Sequence, residues 1–153
     1  MIREVGAQRV GVRLSPVTPS NDISDSNPTE LFFHLIGRIN VLAPVYIHVV
    51  EGATGGDRNF GAPFDHGLLR RNFSGTYIAN NGYDFATATE AVANGRTDLV
   101  AFGKAFLANP DLVARLRAAA PLNAPDRSTF YGGGAKGYTD YPSLEAERPN
   151  LAS

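Results

Sequence analysis

The 153-residue chain contains no cysteine. This absence excludes a disulfide framework, a thiol nucleophile and a metal site built on thiolates. An excess of charge of one sign is missing as well, because 14 Lys and Arg stand against 15 Asp and Glu and leave a net charge of −1. A nearly neutral chain gives no reason to expect a nucleic acid or an anionic membrane as a partner.

Long apolar runs are also missing. The opening residues, Met1-Ile2-Arg3-Glu4-Val5-Gly6, lack the apolar core of a signal peptide, and no run is long enough to cross a bilayer. We therefore expect a cytoplasmic protein without a membrane partner. No metal site is expected either, because His34, His48 and His66 lack the HxH or HxxxH spacing of metal ligands.

The chain does contain an alternation of strand-like and helix-like segments, and its apolar content of 43% is enough for a core. Apolar runs predict four strands, at residues 9–14, 44–50, 76–79 and 98–102. Helical patterns follow them. The first is capped by Thr29, another by Asp84, and the last extends from residue 109 to about 119. Strands that alternate with helices imply a parallel sheet with right-handed crossovers.

The predicted fold class is therefore α/β, with four βα units over residues 1–120. The remaining residues, 121–153, are rich in Pro, Gly and Tyr, and aromatic residues are spaced through them. We expect this extension to pack on the same domain. A long Gly-rich loop at residues 51–64 is too long for a tight connection and is either mobile or functional.

Ligand sites of parallel α/β proteins lie at the carboxyl ends of the strands. Four segments are expected to converge there: Arg13-Leu14-Ser15, residues 48–56, Asn80-Asn81-Gly82 and Gly103-Lys104. No GxSxG, no GxGxxG after a strand and no GxxxxGK[ST] is present, so these segments do not form one of the common catalytic or nucleotide-binding motifs.

The Gly103-Lys104 pair lies where an apolar run leads into a helix. Free N–H groups and the positive end of the helix dipole meet at such a point, so the pair suggests a phosphate-binding site. The alternative is an ordinary turn with a surface lysine. Arg13 is similarly either a fixed charge beside that site or a partner in a surface salt bridge. His48 is either a core histidine satisfied by the backbone or part of a pocket.

Three motifs carry a resemblance that covers nearly the whole chain. They are Gly11-Val12-Arg13-Leu14-Ser15-Pro16, then Ala101-Phe102-Gly103-Lys104 with Leu107-Ala108-Asn109-Pro110-Asp111-Leu112, and then Phe130-Tyr131-Gly132-Gly133-Gly134-Ala135 with Gly137-Tyr138-Thr139-Asp140-Tyr141-Pro142. In this order they resemble the old yellow enzyme family, closest to its N-ethylmaleimide reductase and xenobiotic reductase branch. The resemblance implies an FMN-containing (βα)8 barrel that transfers hydride from NAD(P)H to activated alkenes or nitro compounds.

The resemblance also implies roles for individual residues. Arg13 would contact the pyrimidine edge of the flavin, and Tyr131 would lie over the substrate side, with Asn21 approaching the same pocket. The phosphate would be bound by backbone N–H groups and one side-chain charge. The residues concerned are Asn80, Asn81, Gly82, Gly103 and Lys104. The family usually has arginine at the position of Lys104, and lysine keeps the charge but loses the bidentate geometry.

The length of the chain departs from that of the family, because a complete eight-stranded barrel needs about 250 residues. The four βα units match the C-terminal half of a (β/α)8 TIM barrel. This half would bind the flavin phosphate of an FMN-dependent NAD(P)H oxidoreductase, and the catalytic residues are unknown because they belong to the other half. The alternative is a non-catalytic FMN- or phosphate-binding module that assembles through its open edges. Expected partners are the missing N-terminal half, a second copy of the chain and a small-molecule substrate.

Overall fold

Four parallel strands form one sheet in the computed structural model, which describes residues 1–22, 24–54, 56–59 and 63–147. The strands are β1 (Gly11–Leu14), β2 (Tyr46–Val50), β3 (Thr76–Asn80) and β4 (Leu99–Ala101). They are hydrogen-bonded in the order β1-β2-β3-β4, and each neighbouring pair is parallel. The predicted four-stranded parallel sheet is confirmed. The first, second and fourth strands are shorter than predicted, and the third is longer by Asn80.

At least one helix follows each strand along the chain, and one short helix precedes β1. The helices are α1 (Ile2–Val5), α2 (Pro28–Leu42), α3 (His66–Arg71), α4 (Phe85–Ala93), α5 (Lys104–Ala108), α6 (Leu112–Arg117) and α7 (Leu144–Glu147). Short 3-10 turns occur at Ala7–Arg9, Ser20–Asp22 and Arg127–Thr129. No helix in the described part of the chain is both long and apolar enough to cross a membrane.

Side-chain caps determine where two of these helices begin. The prediction that Thr29 caps α2 is wrong, because Asn27 Oδ1 accepts the Glu30 N–H at 3.3 Å and Pro28 occupies the first helical position. Proline suits this position because its ring fixes φ near the helical value. Its lack of an N–H costs nothing, because the N–H of a first helical residue has no partner within the helix. The predicted cap of α4 is confirmed, because Asp84 and Thr87 form a reciprocal capping box.

The two faces of the sheet differ in what covers them. On one face, buried side chains of β2 and β3 pack against α2, α3 and Phe73, and the cluster contains Ile36, Ile39, Ile47, Val49, Leu69, Phe73, Tyr77 and Ala79. Because side chains alternate along a strand, the other face carries Arg13 and His48, which are partners in register, and the next strands add Ile78 and Leu99. This second face is partly exposed, with Leu99 at 53%.

The chain divides into two compact units, Met1–Ala101 and Phe102–Ser153. The first unit contains the sheet. In the second unit, residues that come after α6 in the sequence fold back and contact α5 and α6. Asn123 N–H donates to Asn109 Oδ1 at 2.8 Å, and the Asn123 side chain donates to the carbonyl oxygen of Ala108 at 2.9 Å.

A buried arginine anchors the same segment in the second unit. Arg115 is 1% exposed and donates to Asp111 Oδ1 at 2.8 Å. It also donates to the carbonyl oxygens of Pro121 and Pro142, at 2.7 and 3.0 Å. Asp111 in turn accepts the Leu144 N–H at 2.6 Å. Arg115 and Asp111 thus bind backbone groups of residues 121–144 and fix this segment against α6.

Candidate functional site

In the first unit, the loops that follow three neighbouring strands are tied together at the carboxyl edge of the sheet. The loop after β1 meets the loop after β2 through Thr18 and Thr54, whose hydroxyl oxygens are 2.7 Å apart. The Thr54 N–H also donates to Thr18 Oγ1 at 3.2 Å. The loop after β2 meets the turn after β3 through the backbone, because the Glu51 N–H donates to the carbonyl oxygen of Asn80 at 3.0 Å.

Asn81 adds a second connection between the loop after β2 and the turn after β3. Its side-chain amide donates to the carbonyl oxygens of Glu51 at 2.6 Å and Ala53 at 2.8 Å, and it lies 3.4 Å from that of Gly56. Its backbone has φ of +91°. The predicted phosphate-binding turn therefore uses this side chain to hold a neighbouring loop.

A buried carboxylate organises the same loop. Glu51 is 8% exposed, and its Oε2 accepts hydrogen bonds from Arg58 Nη2 at 3.0 Å and from the Tyr83 hydroxyl at 2.8 Å. Its Oε1 accepts from the Tyr77 hydroxyl at 3.3 Å. The Arg58 guanidinium also stacks over the Tyr83 ring, 4.0 Å from the centroid. The ion pair thus has additional hydrogen bonds, as a buried charge requires.

Burial and the Glu51 carboxylate determine the protonation of both phenols. Burial, with Glu51 next in size, raises the pKa of Tyr83 to about 12. The same causes raise the pKa of Tyr77 far above its usual value. Both hydroxyls therefore remain protonated at neutral pH and serve as donors to the carboxylate.

Two glycines permit close approach of Arg58. Gly52 has φ of +72°, and a Cβ there would lie 2.4 Å from the Arg58 Cα, so glycine is required. Gly82 has φ of +68°, and a Cβ there would lie 3.0 Å from Arg58 Cδ. Gly82 is exposed, and its N–H has no hydrogen-bond partner within the described residues. It is therefore available to a ligand.

An open cleft of about 510 Å³ lies beside these groups. It is lined by Glu51, Gly56, Asp57, Arg58, Asn59, His66 and Gly82. His66 Nε2 is buried and has no partner in the parts of the chain that the structure describes. Burial lowers the pKa of His66, so this imidazole is neutral at neutral pH. No group of three or more His, Asp or Glu side chains in the described ranges could hold a metal ion.

Arg13 and His48 lie side by side on the less covered face of the sheet. No carboxylate of a described residue lies within 4.0 Å of Arg13, so the surface salt bridge left open by the sequence is not found there. The His48 Nε2 is buried, and no backbone group of a described residue is hydrogen-bonded to this atom. Burial first, and then Arg13, lower the pKa of His48.

The other predicted phosphate ligands lie at the ends of β3 and β4. Asn80 is the last residue of β3, and its side chain donates to the carbonyl oxygen of Ala101 at 2.8 Å, which ties it to the end of β4. Gly103 and Lys104, in the second unit, are the N-cap and first residue of α5, and both are exposed. Lys104 has no ion pair with a described residue. The predicted order of a strand, then the Gly103-Lys104 pair, then a helix is therefore found in the structure.

Tyr131, in the second unit, combines full exposure with a strained backbone. Its side chain is 97% exposed, its φ is +61°, and its N–H donates to the Tyr138 hydroxyl at 2.7 Å. A non-glycine residue held in this region of φ is often functional. Asn21 lies in the 3-10 turn Ser20–Asp22, but its side chain is outside the described part of the structure.

The roles of Glu51, Arg58 and Tyr83 were not predicted from the sequence. One signal was available for Glu51, because a carboxylate directly after a strand that is apolar on both faces is expected to be buried and to need a partner. Nothing in the spacing indicated that Arg58, inside a Gly-rich loop, would be that partner.

Comparisons with known proteins agree with this architecture. Residues 1–123 match the family described as NADH:flavin oxidoreductase / NADH oxidase. The chain is 46% identical over 152 residues to 12-oxophytodienoate reductase 1 of Oryza sativa subsp. japonica, covering 95% of the chain and 39% of that protein.

Two solved structures are similar as well. The old yellow enzyme from Trypanosoma cruzi gives a TM-score of 0.86 at 39% identity, over 94% of this chain and 37% of that one. Morphinone reductase in complex with tetrahydroNAD gives 0.83 at 36% identity, over 98% of this chain and 40% of that one. The chain spans about half or less of the length of the curated relatives that it matches. Its four parallel strands thus correspond to a partial barrel.

Proposed function

Because the chain belongs to the NADH:flavin oxidoreductase / NADH oxidase family, and within it to the old yellow enzymes, we propose that it forms the flavin-phosphate-binding, C-terminal half of an FMN-dependent NAD(P)H oxidoreductase. The observation that carries this proposal is the N–H of Gly82, an exposed residue, which has no partner among the described residues and lies in a turn held by Asn81 at the carboxyl edge of a parallel sheet. A backbone N–H at such an edge suits a phosphate oxygen.

Arg13 and His48, also in the first unit, are a second feature that fits a flavin. Arg13 has no carboxylate partner among the described residues, and beside it His48 has a buried Nε2 without a partner. Buried polar atoms are normally hydrogen-bonded, so His48 Nε2 calls for a polar group from elsewhere, and the exposed guanidinium of Arg13 lies beside it. The pyrimidine edge of a flavin carries such groups.

The bound FMN would supply hydride transfer between NAD(P)H and the substrate. Arg13 would stabilise negative charge at the pyrimidine edge with its fixed guanidinium. Gly82 and Gly103 would donate backbone N–H groups to the phosphate, and Lys104 would add a point charge. Tyr131 would contact the substrate with its exposed ring.

We assign activated alkenes and nitro compounds as the substrate class, in line with the resemblance. The groups that polarise and protonate the substrate would come from the rest of the complete enzyme, so we expect no appreciable turnover by this chain alone. General acid catalysis by itself typically contributes about 10² to 10⁴-fold. The cytoplasm remains the predicted compartment.

A change at Lys104 tests the proposed phosphate contact. Lys104→Ala should weaken FMN binding by about 1.5–3 kcal/mol if the charge-assisted contact is desolvated. Quenching of flavin fluorescence during titration measures the affinity. Lys136→Ala is the matched control, because Lys136 is an exposed lysine of the same unit outside the proposed site. Equal affinities of the wild type and Lys104→Ala would contradict the assignment.

We also propose a partner for the open sheet. β1 and β4 are the outer strands, and the face with Arg13, His48 and Leu99 is only partly covered. Unpaired edges and an exposed apolar face favour association. The partner we favour is the complementary half of the barrel, with self-association of the chain where that half is absent. Sedimentation as a well-folded monomer across micromolar concentrations would contradict this proposal.

A further inference from the structure

The side chain of Asn81 makes more contacts than a residue that binds a phosphate only through its backbone would need. Its amide has two protons, which are directed to the carbonyl oxygens of Glu51 and Ala53 at 2.6 and 2.8 Å. The carbonyl oxygen of Gly56 lies 3.4 Å away. One side chain thus joins the turn after β3 to three backbone positions of the loop after β2.

The backbone of Asn81 indicates what these contacts offset. Its φ of +91° is disfavoured for residues with a Cβ, although asparagine tolerates positive φ better than most. Glycine would adopt this conformation without a steric cost. The amide hydrogen bonds therefore give asparagine an advantage here that glycine lacks.

Gly82 also lies close to Arg58. A Cβ at Gly82 would lie 3.0 Å from the Arg58 Cδ and 3.2 Å from its Cγ, so the two residues are in contact. Arg58 is itself held by Glu51 at 3.0 Å and by the Tyr83 hydroxyl at 2.9 Å. Gly82 thus follows Asn81 in the chain and contacts Arg58, and the side chains of both neighbours are held by residues of the loop after β2 or the turn after β3.

We infer that Asn81 is a positioning residue for anion binding: its side-chain amide holds the backbone of Glu51, Ala53 and Gly56 against the turn after β3 and so fixes the direction of the Gly82 N–H. This inference rests on the proposed function for its ligand, a phosphate monoester such as that of FMN. A prepositioned donor binds more tightly because less conformational freedom is lost on binding. Asn81 therefore contributes to affinity without its side chain contacting the phosphate.

Two substitutions separate the side chain from the backbone conformation. Asn81→Gly keeps the positive φ accessible and removes the amide, whereas Asn81→Asp keeps the shape and removes both donors. Asn72→Asp is the matched control, because Asn72 also donates its amide to a carbonyl oxygen, that of Leu68 at 2.8 Å, away from the turn. All three variants are studied as the full chain.

Hydrogen exchange of the free chain provides a measurement that does not depend on a ligand. The Ala53 N–H donates to the carbonyl oxygen of Asp57, and the Thr54 N–H donates to Thr18 Oγ1. Both Asn81 variants should raise the exchange rates of these two amides about tenfold, because one or more hydrogen bonds that hold the loop are lost. Asn72→Asp should leave the rates unchanged. Unchanged rates in the Asn81 variants would overturn the inference.

FMN titration of the same variants then distinguishes positioning from a purely structural role. Both Asn81 variants should bind FMN at least about fivefold more weakly than Asn72→Asp does. Faster loop exchange with unchanged FMN affinity would show a structural role only and overturn the inference, while leaving the proposed function intact. No FMN binding by the wild-type chain would instead overturn the proposed function, and the anion-binding role of Asn81 with it.

Discussion

The two compact units of the chain are stabilised by different means. In the first unit, one apolar cluster of eight buried residues fills the space between the sheet and its helices. In the second unit, the buried apolar side chains among the described residues are Ala108 and Leu112, and the largest fully buried side chain is that of Arg115. The shape of the second unit therefore depends on hydrogen bonds from a few polar side chains to the backbone.

This difference bears on how each unit holds its own candidate ligand residues. Gly82 lies in the turn after β3, which emerges from a sheet stabilised by the apolar cluster. Polar side chains such as that of Asn81 only orient this turn and the neighbouring loop. Lys104 and Tyr131 belong to the second unit, in which Arg115, Asn109 and Asn123 hold the chain in place. Removing one polar side chain should therefore shift the orientation of a loop in the first unit but disrupt packing in the second.

The largest effect is expected from Arg115→Ala. The substitution removes the Arg115 donor from the carbonyl oxygen of Pro121 and one of the two donors from that of Pro142, and it removes the ion-pair partner of Asp111. Leaving a buried acceptor without its donor typically costs about 1–3 kcal/mol, and the loss of the buried arginine side chain adds to this. Urea denaturation measures the free energy of unfolding, and proteolysis at residues 121–147 reports local release of the tail.

Arg117→Ala is the control for this comparison, because Arg117 lies on the same helix but is exposed. Its effect should stay within about 0.5 kcal/mol, as for most surface substitutions. Similar losses for the two variants would show that the second unit does not depend on the buried arginine.

A smaller effect is expected from acid pH, and it should reside in the first unit, because residues 102–153 contain no histidine. Burial lowers the pKa values of His48 and His66 below the usual 6.5. The unfolded chain therefore binds protons that the folded chain does not. The resulting stability is present above pH 6.5 and is lost as the pH falls towards the folded pKa values.

Denaturation between pH 7.5 and about pH 5 tests this dependence, because most carboxylates do not titrate in that range. His48→Gln and His66→Gln should each reduce the loss of stability towards acid pH. His34→Gln, at an exposed position of α2, should leave it unchanged. The same slope in all three variants would contradict the assignment of the pH dependence to the two partly buried histidines.

The sheet could be predicted from the sequence because apolar runs and glycine- or proline-containing turns alternate along the chain, and the order of the strands follows from that alternation. The secondary structure around Arg13, in a strand, and around Gly103-Lys104, at the start of a helix, could be predicted as well, whereas their roles toward a flavin stay predictions. The start of α2 was predicted two residues late, because Asn27 and Thr29 are both good caps and only the position of Pro28 separates them.

The cross-links between loops could not be predicted. The partners of Glu51 include Arg58, which lies in the same loop, and Tyr83, which lies 32 residues away, and no local pattern joins them. Asn81 could be expected at a position of positive φ, but the carbonyl oxygens that its amide contacts depend on how the loop after β2 folds back. Contacts of this kind arise from tertiary structure alone.

The central claim, that this chain binds the phosphate of a flavin, is tested most directly by comparing FMN with riboflavin, which lacks the phosphate. Quenching of flavin fluorescence by the purified chain gives both affinities under the same conditions. The account predicts that FMN binds and that riboflavin binds at least about tenfold more weakly, because several charge-assisted contacts are lost. Equal affinities for the two flavins, or no binding of FMN, would contradict it.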